Sequence, residues 1–184
     1  FKIIEDASHA FGSVYDNSKI GSCKFSDLTI FSFHPVKNIT TAEGSAITTN
    51  NSKIYKKLLL IRENGQNFAR INRINFPTKY DVTTLGYNFR INEINSSLGL
   101  SQIKKVNKFI KKKRIIAKRY FNEMNFPEIT LPSKKILKFS ALHLFIIRID
   151  FKKLTINKYE FIKKLKKKNI LVNCHYIPLS KFKL

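Results

Sequence analysis

Two short apolar segments of this chain lead to residues that can carry out chemistry. Residues 2–5 are followed by Asp6, and residues 28–32 lead through a bend at Pro35 to Lys37. Short apolar runs bounded by turn residues are typical of buried strands. Ligands of open α/β sheets bind at the carboxyl ends of such strands. We therefore predict an α/β fold with a ligand site at the strand end that carries Asp6.

Lys37 differs from the other lysines in its surroundings, because its neighbours are apolar or hydroxylic rather than charged. Burial disfavours the ammonium form, so a lysine in such a setting can be neutral and nucleophilic near neutral pH. Pyridoxal-phosphate chemistry needs an amine that forms a Schiff base and an acid that faces the pyridinium nitrogen. Lys37 and Asp6 are the residue types that this chemistry requires.

The hydrophobic pattern predicts short strands and helices along the whole chain. Asn51 is expected near the start of the first helix and Gly65 at its end, because these residue types favour the two helix termini. A long loop is expected over 66–84. The predicted strands are 2–5, 28–32, 45–49, 141–149 and 170–174, with a hairpin turn at 16–19, and the predicted helices are 53–64, 92–124 and 158–168.

The order of these elements predicts two domains. Residues 1–124 would form part of a large α/β domain. From Met124 onward, the strand–helix–strand pattern is typical of a smaller domain, which we assign to 125–184 and expect to be incomplete.

The chain is strongly basic, with a net charge of +23 and 35 lysines and arginines. A nucleic-acid-binding module is one interpretation, and it predicts binding to duplex DNA that weakens steeply with salt. However, lysines far outnumber arginines, and arginine is better suited to bidentate phosphate or base contacts. Solvated lysines are the preferred interpretation, so no nucleic-acid partner is predicted, although a basic field favours an anionic ligand.

The cysteines and histidines do not indicate a metal site. Cys23 and Cys174 are far apart, and neither they nor the four histidines have zinc-ligand spacing. The pattern is that of a reduced, cytoplasmic protein. No segment approaches the ~18 apolar residues of a membrane helix, so no membrane partner is predicted.

Four collinear segments resemble the DegT/DnrJ/EryC1/StrS family of sugar aminotransferases: EDASHAFGSVYDNSKIGS, FSFHPVKNITTAEGSAITTN, LGYNFRINEINSSLGLSQIKK and HYIPLS. FSFHPVK followed by ITTAEG is most similar to family members that aminate a UDP-4-keto-6-deoxy-N-acetylhexosamine on the way to pseudaminic acid. The resemblance implies a fold-type-I enzyme, with a mostly parallel sheet flanked by helices. It also implies pyridoxal 5′-phosphate as cofactor, glutamate as the amino donor and a homodimer with shared sites. The chain would be an internal fragment of such an enzyme.

The resemblance also implies roles for individual residues. Lys37 would hold the cofactor as an internal aldimine and move the proton between the substrate carbon and C4′ of the cofactor. Asp6 would keep the pyridine nitrogen protonated. The other implied cofactor contacts are His9 near the 3′-oxygen, Ser32 at the phosphate and Asn88 at the phosphate of a neighbouring subunit; the implied substrate contacts are His175 and Tyr176.

Two positions depart from the family pattern. Ser45 stands where a second glycine is usual, and its Cβ is expected to displace the loop slightly. Ser180 stands where a histidine is common, which leaves substrate contacts there uncertain. A non-catalytic, truncated remnant of such an enzyme therefore remains an alternative, and it predicts weak or absent cofactor binding.

Overall fold

The structure, a computed structural model, describes residues 1–67, 81–174 and 176–183. Its contacts divide the chain into two units: Phe1–Phe121 with Ser133–Phe145, and Asn122–Pro132 with Ile146–Leu184. Most of the loop predicted over 66–84 lies outside the described residues. The division at residue 124 stays a prediction.

The described residues of the first unit form five strands and four helices, the third of which extends past Phe121. In chain order these elements are β1 (Ile4–Asp6), β2 (Val14–Tyr15), β3 (Ser18–Lys19), β4 (Leu28–Ser32), β5 (Ser45–Thr48), α1 (Ser52–Arg62), α2 (Glu93–Ile103), α3 (Val106–Glu123, of which the first unit holds the part up to Phe121) and α4 (Ile136–Phe139).

The central sheet has the order β1–β4–β5 and is mixed. β1 pairs with β4 in parallel, with Asp6 opposite Ile30, and β5 pairs antiparallel to β4, with Ser45 opposite Ser32. Because β1 and β4 are parallel, both deliver their carboxyl ends to the same edge of the sheet. This edge therefore carries Asp6 and Ser32 and continues into the segment with Lys37.

The core of this unit forms around β4 and the loop that follows it. Phe31, Phe33 and Ile39 are buried together with Ala7 at the end of β1. The ring of Phe11 contacts both phenylalanines edge-on, at centroid distances of 5.3 Å to Phe31 and 5.6 Å to Phe33. Burial of each large apolar side chain stabilises the fold by roughly 1.5–3 kcal/mol. The core thus holds the chain on both sides of Lys37, at Phe33 and at Ile39.

The strands, the turn and the helix predicted for the first 65 residues are confirmed to within two residues, but the first strand is exposed rather than buried, since Ile4 is 61% exposed. Asp16 and Asn17 have φ values of 43° and 56°, the left-handed conformations that a two-residue hairpin turn requires. Asn51 caps α1, since its side chain accepts hydrogen bonds from the backbone N–H groups of Lys53 and Ile54. The helix ends before Gly65.

The single long helix predicted after Asn92 is wrong, because the chain breaks at residues 104–105 into α2 and α3. No proline or glycine marks the break. α2 and α3 pack against different segments of the chain. A Cβ on Gly99 of α2 would come within 2.8 Å of Thr41, whereas Ile110 of α3 lies against Gly12. We infer that these separate packing partners override the continuous helical periodicity.

The strand predicted over 141–149 is wrong except for its last residues. Leu142 has a φ of 53°, which no strand allows. Ala141 is fully buried and donates its N–H to the hydroxyl of Ser13 at 2.9 Å. Residues 141–145 therefore form an irregular segment of the first unit rather than a strand, and the contact of Ala141 with Ser13 holds it in place.

In the described residues of the second unit, two short strands pair and one α-helix follows them. β6 (Ile129–Thr130) and β7 (Arg148–Ile149) pair antiparallel, and α5 covers Lys158–Lys167. Asn157 and Glu160 form a capping box at the start of α5, which confirms the predicted helix.

The strand predicted over 170–174 is wrong. Within the described part of the chain these residues form no strand, and Leu171 is 83% exposed. An isolated apolar run without a pairing partner cannot satisfy its backbone hydrogen bonds as a strand.

Candidate active site

Asp6 is the last residue of β1, and hydrogen bonds from Ser8 hold its carboxylate in place. The carboxylate accepts hydrogen bonds from the hydroxyl of Ser8 at 2.5 Å and from the N–H of Ser8 at 3.0 Å. These two bonds, the hydroxyl first, hold the pKa of the Asp6 carboxyl below its ordinary value, and the charges of His9 and Lys37 lower this pKa further. Asp6 is therefore a carboxylate at neutral pH, in the same electrostatic neighbourhood as His9 and Lys37.

Lys37 lies on a loop that is closed at its neck. Phe33 donates its N–H to the carbonyl of Gly44 at 2.8 Å, and Thr41 donates its N–H to the carbonyl of Phe33 at 3.0 Å. Within the loop, the N–H of Lys37 donates to the carbonyl of His34 at 2.9 Å. The segment 33–44 is therefore a compact loop that holds the half-buried Lys37 just beyond the end of β4.

The residue after Lys37 anchors this loop to two other elements. Asn38 is 8% exposed. Its side-chain amide donates to the carbonyl of Phe11 at 3.0 Å, and its side-chain oxygen accepts a hydrogen bond from Lys113 of α3 at 2.6 Å. The loop is thus tied both to the segment after β1 and to α3.

Ser32 occupies the last position of β4, where its hydroxyl accepts the N–H of His34 at 3.4 Å. Parallel pairing brings the end of β4 to the same sheet edge as Asp6. The structure therefore places Asp6, Ser32 and the Lys37 loop at one edge.

Ser45 is a regular strand residue in a backbone conformation that does not require glycine. It pairs with Ser32 in register and has no positive φ. The position that needs glycine is the preceding one. Gly44 has a φ of 154°, and a Cβ there would collide with the hydroxyl of Thr41.

His9 lies against a second histidine, His143, with ring centroids 4.5 Å apart and an interplanar angle of 59°. His143 belongs to the irregular segment after α4. His143 falls within the strand predicted over 141–149, but the fold places its ring beside His9, a predicted cofactor contact.

Asn88 lies on a segment that runs along the end of α1. The N–H of Tyr87 donates to the carbonyl of Ile61 at 2.7 Å, and the N–H of Phe89 donates to the carbonyl of Arg62 at 3.1 Å. Arg90 holds Glu63 at 2.8 Å, and this bond is the largest cause that lowers the pKa of Glu63. The segment is firmly held.

Asn88 itself is exposed. The structure does not bring its side chain into hydrogen-bond contact with Asp6, Ser32 or Lys37, all of which are described.

The predicted substrate contacts lie in the second unit. His175 lies outside the described residues. Tyr176 is 80% exposed, and Ser180 is exposed in a short 3-10 turn, Leu179–Lys181. Their roles stay predictions.

A cavity of about 590 Å³ lies beside the β2–β3 hairpin rather than at Lys37. Glu5, Cys23 and Phe25 help to line it, and His9 reaches its wall. Asp6 points to the other face of β1, since neighbouring residues of a strand alternate. We assign the chemistry to the Asp6 edge, because the ionised carboxylate and the amine lie there.

Sequence reasoning missed Ser8, Asn38 and Lys113 among the residues around Lys37. The position of Lys113 contains a signal, since it lies three residues after Ile110 and four before Ala117, both buried on α3. A lysine at that spacing shares the apolar face of its helix. Because α3 contains several other lysines, the spacing of Lys113 does not stand out in the sequence.

The described residues contain neither a metal-ligand cluster nor a membrane-spanning helix. Among the described residues, no three histidines, cysteines or acidic residues lie close enough together to hold a metal ion. No helix in the described ranges is long and apolar enough to cross a bilayer.

The residues at the Asp6 edge fit a cofactor with an aldehyde, a protonated ring nitrogen and a phosphate. The lowered pKa of Asp6 suits a partner that must remain cationic. Lys37 supplies a primary amine, and Ser32 supplies a hydroxyl at the end of β4. These are the donor types that pyridoxal phosphate requires.

Solved structures share this fold. The Helicobacter pylori aminotransferase PseC, described as involved in the biosynthesis of pseudoaminic acid, superposes with a TM-score of 0.80 at 34% identity over 100% of this chain and 47% of that chain. The sugar aminotransferase Spr1654 of Streptococcus pneumoniae, in its PMP form, has a TM-score of 0.84 at 29% identity over 99% of this chain and 47% of that one. The predicted α/β fold of the aminotransferases is confirmed.

Sequence comparison agrees with the structural one. The UDP-4-amino-4,6-dideoxy-N-acetyl-beta-L-altrosamine transaminase of Helicobacter pylori is 37% identical over 182 residues, which cover 98% of this chain and 46% of that protein. The chain thus spans about half the length of the curated relatives it matches. Aminotransferases of this family depend on pyridoxal phosphate. The family description "DegT/DnrJ/EryC1/StrS aminotransferase family" matches residues 1–184, and the chain belongs to that family.

Proposed function

We propose that this chain provides the cofactor-binding part of a pyridoxal-phosphate-dependent aminotransferase that acts on a nucleotide-linked 4-keto-6-deoxy sugar. The substrate would be a UDP-4-keto-6-deoxy-N-acetylhexosamine, and glutamate would be the amino donor. The printed name of the Helicobacter pylori relative supports the sugar class. The observation that carries the proposal is the ionised Asp6 carboxylate, on which the charge of Lys37 acts, at the carboxyl edge of a parallel strand pair.

Each residue at this edge has a distinct task. The carboxylate of Asp6 holds a proton on the ring nitrogen of the cofactor. The amine of Lys37 carries the cofactor between turnovers and, once released, moves the proton at the reacting carbon. Ser32 binds the phosphate, and His9 orients the 3′-oxygen. When bound, pyridoxal phosphate supplies the electron sink and carries the amino group.

We further propose that two copies of the chain share their sites through Asn88. The surface around Asn88 supports this proposal, because Leu85 is 81% exposed and Phe89 is 67% exposed. Large exposed apolar patches mark interaction surfaces in soluble proteins. A dimer that covers these side chains would also bring Asn88 to the phosphate of its partner. Sedimentation equilibrium of the purified chain tests the dimer.

The sugar nucleotide would be contacted by His175 and Tyr176. The net charge of +23 supports an anionic substrate. We propose a cytoplasmic location, which is supported by the free thiols of Cys23 and Cys174.

The direct experiment traps the cofactor on the protein. The chain is incubated with pyridoxal phosphate and reduced with borohydride, and the modified peptides are mapped by mass spectrometry. We expect a phosphopyridoxyl group concentrated on Lys37. Lys37→Ala should remove this adduct, whereas the matched variant Lys57→Ala, which changes an exposed lysine of α1, should leave it unchanged.

The result that contradicts the proposal is equally specific. Label spread evenly over the other lysines, at the same level in Lys37→Ala, would exclude Lys37 as the attachment site in this chain.

A further inference from the structure

We propose that Lys113 is a positioning residue, which holds the Lys37 loop in place through Asn38. This inference deepens the proposed function and rests on it for the role of Lys37. Lys113 acts through another residue, so it is not a catalytic residue itself.

The first argument is the hydrogen bonding of Asn38. Its buried side chain has one amide nitrogen and one oxygen, and the structure gives each a partner on a different element. The nitrogen donates to the carbonyl of Phe11, and the oxygen accepts from Lys113 at 2.6 Å. A hydrogen bond that involves a charged group is stronger than a neutral one, so the contact with Lys113 is the stronger of the two anchors.

The second argument is the position of this anchor in the loop. The hydrogen bonds between Phe33 and Gly44 and between Thr41 and Phe33 close the neck of the loop, and the buried side chain of Ile39 packs into the core just beyond Asn38. Asn38 follows Lys37 directly, so its anchor acts one peptide away from the reactive amine. The far part of the loop is thereby tied to α3.

The third argument is the cost of placing an ammonium group there. Lys113 shares the face of α3 with Ile110 and Ala117, both buried, and its desolvation lowers the pKa of its ammonium group. An apolar side chain at this position would avoid this cost. The charged group is compensated by its short bond to Asn38, which points to a function of that bond beyond packing.

Amide hydrogen exchange of the whole chain, without cofactor, tests the contact directly. Three forms are compared with the wild type: Lys113→Met, which removes the charge and keeps much of the aliphatic stem; Lys113→Arg, which restores a cationic donor; and Lys112→Met, which changes the exposed neighbour. The reporters are the N–H groups of Lys37, Thr41 and Glu43, each of which is hydrogen-bonded within the loop.

We expect about tenfold faster exchange at these reporters in Lys113→Met, confined to the loop, because loss of a charged hydrogen bond shifts the local opening equilibrium by about that factor. Lys113→Arg should restore slow exchange, and Lys112→Met should match the wild type. Unchanged exchange in Lys113→Met would overturn the proposal. Faster exchange over the whole first unit would also overturn it, since that result describes a residue of general structural importance.

A second readout connects the contact to Lys37. After incubation with pyridoxal phosphate and borohydride reduction, the ratio of label on Lys37 to label on the remaining lysines should fall several-fold in Lys113→Met and recover in Lys113→Arg. An unchanged ratio in Lys113→Met overturns the positioning role. If the wild-type chain leaves Lys37 unlabelled, the proposed function fails, and the exchange data still decide whether Lys113 holds the loop.

Discussion

Gly65 and Gly86 lie with their backbones in direct contact. A Cβ built on Gly86 would collide with the backbone nitrogen of Gly65, and one built on Gly65 would collide with the carbonyl oxygen of Thr84. Gly65 also has a φ of 73°, a conformation that favours glycine. This close approach allows the segment that carries Asn88 to pair with the end of α1.

The variant Gly86→Ala tests the importance of this approach. We expect a loss of about 1–3 kcal/mol in the free energy of unfolding, because the added methyl group meets backbone atoms that cannot rotate away. Urea denaturation measures the change. Thr83→Ala, at an exposed position nearby, is the control and should lie within about 0.5 kcal/mol of the wild type. An equally stable Gly86→Ala would show that the two segments separate freely.

The variant Ser8→Ala tests what keeps Asp6 ionised. The hydroxyl of Ser8 is the largest cause that lowers the pKa of Asp6, so its removal should raise this pKa toward the ordinary value of 3.8. An NMR titration of the Asp6 side-chain carboxyl carbon measures the shift. Ser22→Ala, at an exposed position, should leave the titration unchanged. An Asp6 titration that is identical in Ser8→Ala and the wild type would show that another group holds the charge.

The same shift determines how stability depends on pH. The folded-state pKa of Asp6 is depressed, so its contribution is fully present above the ordinary value of 3.8 and is lost as the pH falls through the folded-state pKa. Ser8→Ala should therefore show a shallower loss of stability in acid than the wild type, within the pH range below about 4.

The variant Arg90→Gln tests the ion pair beside Asn88. Its partner Glu63 has a side chain that is 14% exposed, so the pair is partly shielded from solvent. We expect a loss of about 1 kcal/mol in unfolding free energy and a higher pKa for Glu63. Lys2→Met, which breaks the more exposed pair between Lys2 and Asp27, should cost less. Equal losses in the two variants would show that the shielding of Glu63 has no energetic effect.

The sequence predicted the elements whose signals are local. β4 is a largely apolar run, β5 is a short run that ends at the turn residues Asn50 and Asn51, and Asn51 and Gly65 mark the two ends of α1. These signals act over a few residues, and the structure confirms the elements they predict. The ligand site at the end of the strand with Asp6 was predicted from the strand pattern, because ligands of open α/β sheets bind at the carboxyl ends of strands.

The predictions that were wrong depended on contacts between distant residues. Periodicity alone continues through residues 104–105, but Gly99 and Ile110 pack on different partners. The nearly continuous apolar run over 141–149 resembles a strand, but the hydroxyl of Ser13 holds Ala141 in an irregular path. The anchor between Asn38 and Lys113 spans 75 residues, so no local signal contains it.

Because the Lys37 loop is closed at its neck, the residues that pair the two strands are different from the residue that carries the reactive amine. The backbone hydrogen bond between Phe33 and Gly44 continues the pairing of β4 and β5 and does not involve the side chain at position 37. The residue at position 37 can therefore change its reactivity without changing the sheet beneath it. The reacting side chain and the backbone contacts that hold the loop can therefore be substituted independently of each other.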